Sequence, residues 1–372
     1  MKHKTNVNWT SPDFEERDCA RAGRRTSAAM QRDGPRVKSG AKEYWEKVIL
    51  HPSAFILCCA FVAFAANAQE WKPARNVDIA IASGAGGAAD RQGRQLQKLL
   101  LQAVPGIPSM TVTNRPGGGG TVAWTALALH AGDAHYIATL STAFVTNQIL
   151  GVGQLRYQDL TPLNILMREY VVAWVRAESP FVSAKDVIAR LKKDPASVSF
   201  AFAAARGNQN HIVIGMVARA AGLDPKTVKT VVFSSGGQGM MAALGGHIDV
   251  WVGTPGGALQ HMQSGAARAL GISSTQRQAV KLAGVPTFRE QGIDASYYAW
   301  RGFVAPGKLT APQIAFWDQA FARVVRSEEW KQDLEENGWA EDFKASAETR
   351  KHLDAEYELL TRMLADLGLV TK

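Results

Sequence analysis

A glycine-rich stretch at residues 83–90 has the residue types of an anion-binding turn. Residues 79–90 read IAIASGAGGAAD, so a short apolar run breaks into glycines and alanines before an acid. Glycine lets the backbone approach a ligand closely, and a helix that follows such a turn points its N–H groups and positive dipole end at the turn. The stretch therefore predicts an anion held by main-chain groups.

Similar turns recur where other predicted strands end. They fall at residues 117–120, 236–239 and 253–257. In open α/β sheets, ligands sit beyond the carboxyl ends of the strands, which is where these turns are expected. The NRPGGGG segment at 114–120 fits a tight turn as well as a ligand loop, and both interpretations stay open.

A dinucleotide site is the main competing interpretation of the first loop. Gly84-x-Gly86-x-x-Ala89 fits the G-x-G-x-x-A form of that fingerprint, which is weak on its own. A dinucleotide fold also needs an acid at the end of its second strand, where this chain has Asn114 and Arg115. We therefore predict no cofactor.

Motifs for catalysis and metal binding are missing from the sequence. It contains no G-x-S-x-G and no H-E-x-x-H, and its eight histidines are scattered without the spacing of metal ligands. Ser234-Ser235 lies in a glycine turn without an adjacent base, which favours a capping role over a nucleophile. We expect neither an enzyme nor a metal protein.

The first 68 residues differ in composition from the rest of the chain. Residues 1–47 are polar and rich in arginine and lysine, an apolar stretch spans about 48–65, and Ala-Asn-Ala follows at 66–68. A basic flank, an apolar region and an A-x-A ending are the parts of a secretory signal peptide. We predict cleavage after Ala68 and a periplasmic location.

A transmembrane anchor is the alternative for this segment. His51 and Pro52 interrupt the run and leave about 14 apolar residues, short of the ~20 that a membrane span needs. Residues 1–47 make a long prelude for a signal peptide, so either the start codon is assigned too early or the basic region is unusual. All three cysteines precede the predicted cleavage site, so the core alone must stabilise the exported protein.

Charge gives a weak indication of the ligand. The leader holds 11 Lys and Arg against 7 Asp and Glu, which is +4 of the net charge of +9 and leaves +5 on the remainder. That excess is spread along the chain without basic runs. It favours anionic ligands weakly and gives no support for nucleic-acid binding.

Short β-branched runs alternate with helical stretches from Trp71 onward. Strands are predicted at 76–82, 109–113, 136–141, 171–176, 198–203, 230–233, 249–253, 269–272 and 300–304, and helices at 90–101, 121–129, 183–193, 211–221, 237–244 and 256–264. Ser183 is a predicted N-cap, and helical cover is predicted after about Ala311. This order predicts an α/β fold with mostly parallel sheets.

Six segments, taken in order, resemble one known family. They are IAIASGAGGAAD, NRPGGGG, LRYQDLTPL, AAARGNQNH, GGHIDV and SGAARALGI. Together they resemble the extracytoplasmic solute receptors of tripartite tricarboxylate transporters, also called the Bug family, from about Trp71 to Leu369. The resemblance implies a periplasmic-binding-protein-like fold: two α/β domains joined by two crossing strands, near 171–176 and 300–304, with a ligand cleft between them.

The resemblance also implies a domain division and a function. Domain I would comprise residues 69–171 plus 300–372, and domain II residues 172–299. The protein would capture a small carboxylate, whether a mono-, di- or tricarboxylate or an acidic amino acid, and deliver it to membrane transporter subunits. A periplasmic ligand sensor with the same clamshell fold is the alternative. A monomer is expected.

Family receptors hold a carboxylate with one loop from each domain, and these loops match residues 83–90 and 203–211. The residues implied in ligand binding are Ser83, Gly84, Ala85, Gly86, Gly87, Asp90, Ser141, Ala204, Arg206, Gly207, Asn208 and His211. Asp90 suits either the helix dipole or ligand selection, and His211 suits either a buried cap or ligand contact. Arg206 would pair with a second carboxylate or point to solvent, and the sequence leaves this open.

Overall fold

The computed structural model describes residues 70–86, 88–203, 205–233, 235–278 and 280–370. The predicted signal peptide with its cleavage site lies outside the described residues, as do the site candidates Gly87 and Ala204. Within these ranges, no helix has both the length and the apolar character required to cross a membrane.

The described strands alternate with helices along most of the chain. The strands are β1 (Val77–Ile81), β2 (Met110–Asn114), β3 (Tyr136–Ser141), β4 (Thr161–Tyr170), β5 (Val172–Arg176), β6 (Ser199–Ala203), β7 (Lys229–Phe233), β8 (Val250–Gly253), β9 (Ala267–Ile272), β10 (Tyr298–Ala305) and β11 (Ala340–Ala345). The helices are α1 (Ala88–Ala103), α2 (Thr121–Ala128), α3 (Ala143–Ile149), α4 (Ala184–Lys193), α5 (Gln209–Ala220), α6 (Gly236–Leu244), α7 (Leu259–Gln263), α8 (Ala311–Val324), α9 (Glu328–Asn337) and α10 (Ser346–Asp366).

Local sequence explains several helix boundaries. Ser183 caps α4 as predicted, because its hydroxyl accepts the Asp186 N–H at 3.3 Å while the Asp186 carboxylate accepts the Ser183 N–H at 2.8 Å. The predicted apolar face of α1 is also confirmed, since Leu96, Leu99 and Leu100 are buried. After Ala311 the chain is not wholly helical, because β11 interrupts the predicted helices.

The strands form two sheets that are both mixed. The six-stranded sheet has the order β11-β4-β10-β3-β1-β2, and the five-stranded sheet has the order β7-β6-β8-β5-β9. In the first, β1 runs parallel to β2 and β3, whereas β10 is antiparallel to β3 and β4, and β11 to β4. In the second, β6 runs parallel to β7 and β8, whereas β5 is antiparallel to β8 and β9.

The antiparallel strands follow from how the chain crosses between the sheets, which the prediction of mostly parallel sheets did not consider. Strand β4 continues through Val171 into β5, and the chain returns after β9 to enter the first sheet as β10. A strand that enters a sheet from the carboxyl edge of its parallel strands must run against them. Strands β5 and β10 are these entering strands, so two crossing connections join the sheets, as the family resemblance implies.

One buried serine connects the two crossings. The Ser273 hydroxyl accepts the Val171 N–H at 2.9 Å and donates to the Tyr297 carbonyl at 2.5 Å. The Ser273 backbone bonds the same two residues, with its N–H to Val171 at 2.9 Å and its carbonyl from Tyr297 at 3.0 Å. Ser273 is 1% exposed, so these bonds lie away from competing water.

Two apolar clusters form the interior of the part of the chain that the structure describes. One lies between the first sheet and helices α1, α8 and α9, and includes Trp317, Phe321 and Trp330. The other extends from Trp124 and Phe144 of the first sheet's helices, along the crossing strands, into the core of the second sheet. Burial of apolar surface on this scale is the main driving force for folding.

Helix α10 contacts both halves of the molecule. It packs on β4 of the first sheet, and its last turn lies against α5 of the second. There Arg219 of α5 forms an ion pair with Asp366. Leu367 packs so closely over Gly215 that an added Cβ would lie 2.5 Å from its Cδ2 atom.

Candidate functional site

The carboxyl ends of the parallel strands in both sheets meet around the crossing. In the first sheet, β3 and β4 end at Ser141 and Tyr170 along one edge. In the second, Gly253 at the end of β8 pairs with Val172, the first residue of β5. Because β4 leaves one sheet and β5 enters the other at these edges, the loops after β1, β3, β6 and β8 are grouped near the crossing. That is where ligands of open α/β sheets bind.

The first glycine loop joins β1 to α1 at this edge. Its start is anchored, since the Ala82 N–H donates to Thr139 Oγ1 at 2.9 Å. Beyond it Gly84, Ala85 and Gly86 are exposed. A Cβ added at Gly84 or Gly86 would meet no atom within 4 Å, and Gly86 has φ +77°, a conformation that favours glycine. The loop thus leaves open space above its backbone.

Asp90 organises this loop from the first turn of α1. Its Oδ2 atom accepts the Gly86 N–H at 2.9 Å, and its Oδ1 atom accepts Asn114 Nδ2 at 2.9 Å and Arg94 Nε at 3.1 Å. Asn114 Nδ2 also donates to the Ser83 carbonyl at 3.2 Å, and Arg94 Nη2 donates to Asn114 Oδ1 at 3.1 Å. The side chain of Asp90 therefore faces the loop and its neighbouring strand.

The surroundings of Asp90 keep it ionised. Burial on its own would raise the pKa of the Asp90 carboxyl, but the hydrogen bonds from Gly86, Asn114 and Arg94 outweigh burial and lower the pKa below its usual range. The resulting negative charge lies at the N-terminus of α1, where the helix dipole stabilises it.

The second loop joins β6 to α5 at the edge of the other sheet. Asn208 is the N-cap of α5: its Oδ1 atom accepts the N–H groups of Asn210 and His211, each at 3.1 Å. Its Nδ2 atom donates to the Ala203 carbonyl at 2.8 Å, which joins the end of β6 to the start of α5. Asn208 therefore connects the two ends of the loop, the end of β6 and the first turn of α5.

The side chain of His211 contacts the second loop from the interior of the protein. Its ring is buried, stacks on Phe202 with centroids 5.1 Å apart, and accepts the Gly207 N–H on Nδ1 at 3.0 Å. Burial, together with the positive charge of Arg206, lowers the pKa of His211 to about 4. The neutral imidazole is thus an internal acceptor, which supports the capping alternative for this residue.

Arg206 extends along the outer strand of the second sheet. It is exposed, and its Nη1 atom donates to Thr230 Oγ1 at 3.0 Å. Thr230 lies near the amino end of β7, whereas the loop follows the carboxyl end of β6. This orientation matches the alternative in which the guanidinium faces solvent.

Gly207 brings the second loop against elements built on the first sheet. Its φ is +84°, and an added Cβ would lie 3.0 Å from Leu150, 3.1 Å from Leu364 and 3.4 Å from Leu369. Leu150 follows α3, and the other two leucines belong to α10 and the turn after it. The position of this loop therefore depends on packing from both halves of the molecule.

Two further serines lie at the carboxyl edges. Ser141 ends β3 opposite Arg301, and the Arg301 guanidinium pairs at 2.8 Å with Glu169, which is buried. Ser235 caps α6 by accepting the Gln238 N–H at 3.3 Å, which confirms the capping interpretation for that serine.

Sequence reasoning missed Asn114 and Arg94 as parts of the first loop. Asp90 and Arg94 are four residues apart on one predicted helix. This spacing is typical of an ion pair, so the role of Arg94 could have been predicted from the sequence. The role of Asn114 depends on the pairing of β1 with β2, which places it beside Ile81. No group of three or more His, Cys, Asp or Glu able to hold a metal ion occurs among the described residues.

Two solved structures have a fold similar to that of this chain. A Rhodopseudomonas palustris protein with adipate has a TM-score of 0.71 and 19% identity, covering 80% of this chain and 98% of that one. MatC from Rhodopseudomonas palustris, with bound malate, has a TM-score of 0.63 and 21% identity, covering 80% of this chain and all of MatC. These similarities show the predicted clamshell fold of periplasmic binding proteins.

Sequence comparison identifies the family. The chain is 27% identical to protein BugT of Bordetella pertussis over 247 residues, 65% of this chain and 73% of BugT. The family model described as "Tripartite tricarboxylate transporter family receptor" matches residues 93–369. The chain therefore belongs to the tripartite tricarboxylate transporter receptors, also called the Bug family.

Proposed function

We propose that this receptor captures a small carboxylate in the periplasm and delivers it to a tripartite tricarboxylate-type transporter. One observation carries the proposal: two loops with exposed backbone, each followed by a helix N-terminus, lie at the carboxyl edges of two sheets that meet at one crossing. A carboxylate between them would be stabilised by the N-terminal ends of α1 and α5 and by loop N–H groups other than those of Gly86, Gly207, Asn210 and His211, which already bond side chains of the same loops.

The ligands of related structures support the chemical class. The Rhodopseudomonas palustris neighbours contain adipate and malate, which are both dicarboxylates. Gly84 and Ala85 of the first loop are exposed, so an anion can reach their backbone, whereas the Gly86 N–H already bonds Asp90. With Ser83, Asp90, Ser141, Asn208 and His211 shaping the surroundings, the site recognises the carboxylate and leaves the remainder of the ligand to the shape of the cleft.

Binding by both loops implies closure of two domains. We propose domain I as residues 69–171 plus 300–372 and domain II as residues 172–299, with Val171 and the return crossing as the hinge. A ligand held by both domains stabilises the closed state through contacts that the open state lacks. The receptor acts as a monomer, and its closed form is the one that the transporter subunits receive.

Equilibrium binding tests the proposal. Malate, adipate, citrate and acetate are screened by thermal shift, and any acid that stabilises the protein is titrated by calorimetry. We expect at least one acid to bind with Kd below about 100 μM, which is roughly −5.5 kcal/mol or better. The matching diamide, which lacks the charge, serves as the control ligand. Equal binding of acid and amide, or binding of neither, contradicts a carboxylate site.

A further inference from the structure

The carboxylate of Asp90 is surrounded by donors from its own chain. The Gly86 N–H, the Asn114 amide and the Arg94 guanidinium all bond it at 2.9 to 3.1 Å. Asp90 is 5% exposed, so little of its carboxylate surface remains for another partner. The same acid would be a natural acceptor for a ligand cation, but here both oxygens already have internal donors.

The described residues of the loop that Asp90 holds, 83–86, have few other constraints. Gly84 and Gly86 bring no side chains, and no heavy atom lies within 4 Å of their added Cβ positions. Glycine loses more conformational freedom on ordering than any other residue. A ligand that had to order such a loop would bind more weakly by that cost, so a loop held in advance favours binding.

Asn114 ties both ends of the loop to a rigid strand. Its Nδ2 atom donates to the Ser83 carbonyl at one end and to Asp90 at the other, while its Oδ1 atom accepts Arg94. Asn114 is the last residue of β2 and lies in register with Ile81 of β1. The sheet therefore fixes the amide that spans the loop.

We propose that Asn114 and Arg94 are positioning residues that make Asp90 the internal clamp of the first loop, so that the site takes carboxylates without an ammonium group. The second part rests on the proposed function. A ligand ammonium in a closed cleft needs an available acceptor, best a carboxylate. Asp90 is the only acid in residues 83–90 and 203–211.

Nearby positive charge adds to this selection. Arg94 bonds Asp90 itself, and Arg91 donates to the Gly86 carbonyl at 3.2 Å. Both guanidinium groups would repel a ligand ammonium at the first loop, while they favour an anion. The engaged carboxylate of Asp90 and the two adjacent guanidinium groups thus both disfavour ligands that carry an ammonium group.

Hydrogen–deuterium exchange of the ligand-free protein tests the clamp. In Asn114→Ala and Arg94→Ala, amides of residues 83–90 should exchange about fivefold faster or more, the effect of losing one hydrogen bond. Arg94→Lys should recover most of the protection, because an ammonium still pairs with Asp90. Lys98→Ala removes a positive charge one turn further along α1 and should leave the loop unchanged, since Lys98 is exposed.

Peptides from β6 serve as the internal reference, so a general loss of stability is distinguished from local opening. Unchanged exchange at 83–90 in both alanine variants, relative to that reference, overturns the clamp. So does a loop that opens equally in Lys98→Ala. This measurement needs no ligand and stands whether or not the carboxylate function is correct.

Ligand pairs that differ only in an amino group test the selection. Succinate is compared with L-aspartate, and glutarate with L-glutamate, by thermal shift and calorimetry. We expect each acid that binds to exceed its amino partner at least tenfold in affinity. An amino acid that binds more tightly than its partner, with the advantage lost in Asp90→Asn, overturns the selection. If no member of any pair binds, the proposed carboxylate function fails, and the selection fails with it.

Discussion

The buried imidazole of His211 makes the second loop sensitive to acid. It accepts the Gly207 N–H only while Nδ1 is unprotonated, and burial beside Arg206 lowers the pKa of His211 to about 4. In the unfolded chain the pKa of a histidine is ~6.5. Between pH ~6.5 and ~4, the unfolded state therefore binds a proton at this histidine and the native state does not. The free energy of unfolding is unaffected by this group above pH ~6.5 and falls as the pH drops toward ~4.

Unfolding free energies at pH 7 and pH 5 measure this effect. We expect the parent protein to lose about 2 kcal/mol more than His211→Gln over this interval, since the glutamine has no titrating proton. His247→Gln is the matched control, because His247 is exposed, and it should follow the parent. A similar pH dependence in all three proteins would mean that His211 is not the acid-sensitive group.

At the scale of elements, an added methyl group at the contact between the second loop and α10 should lower the free energy of unfolding. A Cβ at Gly207 would be strained at φ +84° and would press on Leu150 and Leu364 at 3.0 and 3.1 Å. We expect Gly207→Ala to lower the free energy of unfolding by about 2–3 kcal/mol, of which ~1 is backbone strain and the rest is overpacking.

Gly222→Ala separates these two contributions. Gly222 has φ +79° but no atom within 4 Å of an added Cβ, so its alanine variant carries the strain alone. Urea denaturation of both variants gives the difference, which we expect to be about 1–2 kcal/mol. Equal losses would show that the leucines yield without cost, and that the loop is not held by α10.

The sequence predicts most of these elements but not the ones whose stability comes from distant partners. Strand β4 carries Arg168 and Glu169 and was not predicted, because the buried charge of Glu169 is matched by Arg301, 132 residues away. Strand β11 reads AEDFKA and resembles a helix surface, yet pairing with β4 makes it a strand. Helix α3, seven residues long, was also missed.

The candidate site, too, is predictable from the sequence only where its interactions are local. The glycine turns could be identified from residue types because their chemistry is local. The role of Asn114 could not, since it depends on the register between β1 and β2. The side-chain orientation of Arg206 likewise follows from Thr230 on a neighbouring strand.

For the whole molecule, substitution of Ser273 tests whether the two crossings act as a hinge. Ser273→Ala leaves the buried Val171 N–H and the Tyr297 carbonyl without their hydroxyl partner. An unsatisfied buried group costs ~1–3 kcal/mol, so we expect a loss of about 2 kcal/mol in unfolding free energy. Small-angle scattering of the ligand-free variant should also show a larger radius of gyration, because only the backbone bonds of residue 273 then connect the two crossings.

Ser274→Ala is the control for this experiment. Ser274 is equally buried, but its hydroxyl donates to the Gln276 carbonyl within the same turn. It should lose stability without any change in the radius of gyration. If both variants scatter alike, the serine bonds stabilise the fold without governing the angle between its halves.

Export of the whole chain gives a prediction for its amino terminus. If residues 1–68 are removed by signal peptidase, the exported protein begins at Gln69 or within a few residues of it. Amino-terminal sequencing of periplasmic material decides this directly. Material that retains residues 1–47 would contradict the signal peptide and favour an anchor.

The strand order of the first sheet has a consequence for synthesis. Strand β10 lies between β3 and β4, yet it follows all of the second sheet along the chain. Domains usually fold in the order in which they emerge from the ribosome. Here the second sheet is complete at residue 272, whereas the first keeps two open strand edges until residue 305 has emerged and receives its last strand, β11, only at residue 345. If the predicted signal peptide directs the chain to a channel that accepts only unfolded polypeptide, this delay favours export, because the first sheet stays incomplete while its last strands are still unmade.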